Sequence, residues 1–93
     1  MKKVTFRGWD GIVAVITLGM KRGHRDCHGL TKRESDKRYR VWIKKDQNEK
    51  EELDTLIHEM LHCASWQSEE DWVAQTATGI ADALYEWGFR RVD

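Results

Sequence analysis

The chain has 93 residues, 16 basic and 16 acidic side chains, four histidines, two cysteines and no proline. That length suits one domain, residues 1–93, and excludes a multidomain machine; 40% apolar and 34% charged residues exclude a disordered chain and suit a small core. No apolar run approaches the roughly 18 residues of a transmembrane helix.

The longest apolar run, Ile12 to Met20, is followed by Lys21-Arg22 rather than a small-residue cleavage site, so no signal peptide is expected. Two cysteines are too few for a multi-bridge secreted scaffold, which points to a reducing cytoplasm.

In chain order, Val4 and Phe6 alternate with Thr5 and Arg7, as in a half-buried strand. Asp10-Gly11 is a turn dipeptide, and the β-branched residues of Ile12 to Leu18 form a second strand, so 4–18 reads as a hairpin. A short helix over 12–20 is the alternative. Gly19 to Lys37 is glycine-spotted, charged and aperiodic, and reads as a loop. Tyr39, Val41 and Ile43 alternate with Arg40, Trp42 and Lys44, giving a third strand.

The period then changes. Leu53, Leu56, Ile57, Met60, Leu61 and Ala64 recur at helical spacing, and Asn48 with Glu51 forms a capping box before them. After a break at Ser65 to Gln67, Ser68 reads as the cap of a second helix with an acidic first turn, Glu69-Glu70-Asp71. Its apolar stripe is Val73, Ala77, Ile80, Ala81, Leu84 and Trp87, and Gly88 ends it. The expected fold is α+β: a small antiparallel sheet of about three strands packed on two helices.

Charge is uneven along the chain. Residues 1–50 carry a net +8 and residues 51–93 a net −8, with the basic density highest from Lys21 to Arg40. The basic segment suits nucleic acid or an acidic partner; alternatively, the two halves neutralise each other within the fold.

The first helix carries the chemistry. His58-Glu59-Met60-Leu61-His62 places two histidines four apart with a glutamate after the first. One helical turn sets both imidazoles on one face, about 40° apart, where they can reach one metal ion. Glu59 lies about 100° from His58, beside the metal rather than on it, where it can take a proton from water. Catalytic zinc needs a third protein ligand and an open position. Glu69, Glu70 and Asp71 are the nearest candidates. Glu70 heads the apolar stripe of the second helix, where a carboxylate is costly unless paired or metal-bound, and is the favoured ligand.

Leu56-Ile57-His58-Glu59-Met60-Leu61-His62 followed by Ser68-Glu69-Glu70-Asp71-Trp72-Val73 resembles small phage and bacterial zincin-like metallopeptidases, distant relatives of the SprT-like and ImmA/IrrE-like groups. The resemblance covers about residues 39–88. It implies a strand before the motif helix, where Arg40 to Ile43 stands, and a glutamate ligand on the next helix, where Glu70 stands. It also implies that the preceding strand pairs with an extended peptide, giving Tyr39, Val41 and Trp42 a substrate-binding role; core packing is the other reading of those residues.

His24, Cys27 and His28 form a second cluster, which with Cys63 would make a separate metal site, although no closing Cys-x-x-Cys pair is present. One of those histidines, Tyr39 or Tyr85 is a candidate oxyanion donor. Cys63 reads as a small buried residue, and Trp66 and Trp72 as core or as a lid at the inter-helix turn. The function expected is a zinc-dependent metallopeptidase hydrolysing a peptide bond. The alternative is a non-catalytic phage-type accessory protein that binds nucleic acid or a host protein through residues 21–45, and a zincin that holds metal without turnover is a third reading.

Overall fold

The computed structural model describes residues 2–20, 29–44 and 47–91. Its architecture is α+β. The strands are β1 (Lys3–Arg7), β2 (Val13–Met20), β3 (Gly29–Ser35) and β4 (Arg38–Lys44); the helices are α1 (Glu49–Ala64) and α2 (Glu70–Trp87). The sheet order is β1-β2-β4-β3. β1 and β2 form the expected antiparallel hairpin, turned by Trp9–Gly11 with Asp10 and Gly11 at φ of 57° and 80°. A helix over 12–20 is thereby excluded.

Two expectations about the sheet are corrected. It has four strands, because residues 29–35 of the expected loop form β3. β3 lies at the edge, where Lys32, Arg33 and Glu34 stay in solvent and hide the alternation; charge on an edge also blocks unwanted strand pairing. The sheet is also mixed: β4 pairs antiparallel with β3 but parallel with β2, since the β3–β4 hairpin folds with β4 inward.

α1 starts as the capping box requires. Asn48 Oδ1 accepts the Glu51 backbone N–H at 2.9 Å, and the Asn48 amide donates back to the Glu51 carboxylate. Its apolar residues serve two directions. Leu56, Met60 and Cys63 pack on the sheet core of Ala14, Ile16, Tyr39, Val41 and Ile43. Ile57, with Leu53 and Leu61, packs against Ala77, Ala81 and Leu84 of α2. α1 therefore lies between the sheet and α2. Burying a side chain of leucine or isoleucine size in either layer contributes about 1.5–3 kcal/mol.

Ala64, Ile80 and Trp87, expected in apolar stripes, are exposed instead. Glu69 rather than Ser68 occupies the N-cap of α2; the Ser68 hydroxyl is taken by Ser65 Oγ at 2.7 Å. Gly88 ends α2 in the left-handed region, φ 110°, and its N–H reaches Leu84 O and Tyr85 O. No described helix is long and apolar enough to cross a membrane.

Candidate metal centre

His58 and His62 lie one turn apart on α1, away from the face that packs on the sheet. Their Nε2 atoms are 3.1 Å apart, and both side chains are about four-fifths buried. The first turn of α2 brings Glu70 across from the other helix. Glu70 Oε1 stands 2.9 Å from His58 Nε2, and Oε2 stands 2.8 Å from His62 Nε2. Of the three acids at this helix start, Glu70 is the one that heads the buried row Val73, Ala77 and Ala81.

Glu59 is placed differently. It is buried, 7% exposed, and accepts a hydrogen bond from the Thr31 hydroxyl of β3. Thr31 also reaches the thiol of Cys63, which is buried in the sheet core. Burial first, and then the nearby Glu59 charge, push the Cys63 thiol up to about 12. Cys63 thus stays protonated at neutral pH and is a packing residue, as the sequence suggests.

One ligand atom each from His58, Glu59 and His62 fall within 4.8 Å of one another. Thr31 already holds Glu59, whereas Glu70 faces both histidines with one carboxylate oxygen toward each, which makes Glu70 the further candidate donor. Zinc at about 2.0–2.1 Å from nitrogen or oxygen ligands sets tetrahedral neighbours roughly 3.3 Å apart. The two nitrogens, 3.1 Å apart, come near that spacing, while the Glu70 contacts of 2.9 and 2.8 Å are made by different oxygens, so sharing one ion with both nitrogens requires the carboxylate to turn. Glu70 remains 64% exposed, which leaves the solvent side of the set open.

Clefts flank the histidines on both sides. One of about 410 Å³ is bounded by Gly29, Gln47, Asp54, Thr55, His58 and Glu59. One of about 450 Å³ is bounded by Leu30, Thr31, His62, Trp66, Ser68 and Glu70, and also touches Gly29 and Glu59. The two meet at Gly29 and Glu59, so a groove runs between β3 and α1.

Other expected site residues lie elsewhere. β4 has β2 on one side and β3 on the other, so no peptide can add to its edge. Tyr39 and Val41 are buried beneath α1, and Trp42 is on the opposite sheet face; the edge-pairing role given to these three is corrected. Tyr39 donates its hydroxyl to Asp36 O at 3.4 Å, and Tyr85 lies near the far end of α2 beneath Arg90; neither lines the clefts beside the histidines. Trp66 lines the groove and stacks near Tyr39 at 5.4 Å, whereas Trp72 is 52% exposed and not core. His24, Cys27 and His28 lie outside the described residues.

Gly29 and Thr31 were not singled out from sequence. Their signal, a glycine and a small hydroxyl two apart on one strand face, is masked by the charged run that follows. Compared with known proteins, the chain matches no family model, no curated protein and no solved structure.

Proposed function

We propose that this chain is a zinc-dependent metallopeptidase of zincin type, acting in the cytoplasm on a peptide bond of a protein or peptide substrate. The observation that carries the reading is Glu70, which meets both motif histidines from a second helix at 2.9 and 2.8 Å. His58 and His62 would hold the metal from successive turns of α1, and Glu70 would supply the third ligand from α2.

Bound zinc supplies a Lewis acid that brings the pKa of water near 7 and polarises a carbonyl. Glu59 takes the proton from the attacking water and passes it to the leaving amine. Thr31 holds one Glu59 oxygen, which fixes the carboxylate and leaves the other oxygen for proton transfer. Among the described residues β3 is an edge strand beside the groove, and an extended substrate pairs there rather than on β4.

The test is hydrolysis of a quenched fluorescent peptide library by the zinc-loaded protein and by its Glu59→Gln variant. The expected result is turnover that falls at least about 100-fold in the variant, with zinc content and fold unchanged. Equal activity in both, or no turnover by the zinc-loaded native protein, would overturn the reading.

A further inference from the structure

The uneven charge along the chain becomes an uneven charge across the molecule. The four strands contain seven lysines and arginines and a single acidic residue, Glu34. The two helices contain nine acidic residues and a single lysine, Lys50. Lys50 pairs with Asp82 of the neighbouring helix at 3.0 Å, so this contact does not neutralise the sheet.

Most of the sheet's cations share one face. Val41 and Ile16 are partners and both point into the core, so their neighbours in register point the other way. Across that outer face, Lys3, Thr17, Trp42 and Leu30 form one row. Thr5, Val15, Arg40 and Lys32 form the next, and Arg7, Val13 and Arg38 a third. Both α1 and α2 lie on the opposite side. Lys3, Arg7, Lys32, Arg38 and Arg40 are exposed, and Glu34 offsets Arg40 at 2.9 Å. Between the cations lies an apolar strip: Trp42 and Leu30 are half-buried, and Val15 is 38% exposed.

We propose that this sheet face, which no described helix covers, binds a single-stranded nucleic acid, with phosphates on the cation rows and bases against Trp42 and Leu30. Cations supply the sequence-independent attraction to a phosphodiester backbone, and a sheet-borne aromatic flanked by cations supplies a stacking surface. An acidic protein would use the cations but leave the apolar strip without a matched partner. A duplex would keep its bases away from the strip. The acidic helices face away and orient the docking. Arg33 belongs to the other side of the sheet, where it lies 5.7 Å from the Trp66 ring. The proposal does not rest on the metal centre, because the two lie on opposite faces of the sheet.

The test is fluorescence anisotropy of a labelled oligothymidylate of about 15 nucleotides, titrated with the full chain between about 50 and 200 mM salt. The native protein should bind, and its affinity should fall with salt. Lys32→Glu with Arg40→Glu should reduce the salt slope by about 1.4, the share of two phosphate contacts on a single strand. Lys50→Glu with Arg90→Glu makes the same net-charge change on the helical side and should leave the slope unchanged. Glu34→Gln should tighten binding, and His58→Ala should bind as the native chain does. The proposal is overturned by no binding at the low salt, by equal losses from both double variants, or by a duplex or a polyglutamate peptide competing better than the single strand.

Discussion

Gly29 lies so close to Glu59 that an added Cβ would come 3.0 Å from Glu59 Cγ and 2.9 Å from Thr55 Cγ2. β3 thus meets α1 at a separation that glycine permits and alanine does not without a shift. The contact sits under the carboxylate that the proposed chemistry uses. Gly29→Ala should therefore both destabilise the fold and displace Glu59. Overpacking of this kind costs about 1–3 kcal/mol, measurable by urea denaturation. An unchanged midpoint would mean that β3 yields freely and does not fix Glu59.

Thr31 gives Glu59 its hydrogen bond from the same strand. Thr31→Val keeps the shape and removes the donor, leaving a buried carboxylate short of a partner at a cost of about 1–3 kcal/mol. The expected kinetic signature is a lower kcat with a nearly constant KM, and Thr31→Ser should restore it. If Val and Ser behave alike, the hydroxyl does not position Glu59.

Cys63 makes stability sensitive to alkali. Its pKa rises on folding from an ordinary value of 9.0 to about 12. Between those values the unfolded chain has lost the proton and the folded chain keeps it, so stability falls as pH rises, by about 1.4 kcal/mol per unit. Below 9.0 the contribution is fully present. Thermal melts of the native chain and of Cys63→Ala should therefore diverge least above that pH, as the native chain loses its advantage. A constant difference from neutral pH to pH 11 would contradict the assignment.

The helices were legible because each carries a 3.6-residue period with its own stops. Asn48 and Glu51 announce α1, and Gly88 ends α2. Glu70 could be placed because it shares a helix face with Val73, Ala77 and Ala81, which must pack on α1. The edge strand β3 was not legible, since an edge can be highly charged and its single buried-side contact, Gly29 to Thr31 against α1, is too short to show a period. The interior place of β4 was hidden for a related reason. Arg38 and Arg40 lie on the sheet face that no described helix covers, so β4 has the alternation of an exposed strand although both of its edges are paired. Its parallel partnership with β2 depends on where the β3–β4 hairpin folds, which local pattern does not encode.

The most direct measurement is zinc content by elemental analysis of the native chain beside His58→Ala, Glu70→Ala, Glu69→Ala and Asp71→Ala. The expected result is one zinc per native chain, lost in the His58 and Glu70 variants and kept in the Glu69 and Asp71 variants, because Glu70 alone of the three acids is paired with both histidines. No zinc in the native chain after metal is supplied, or zinc retained without His58 and Glu70, would contradict the proposed centre.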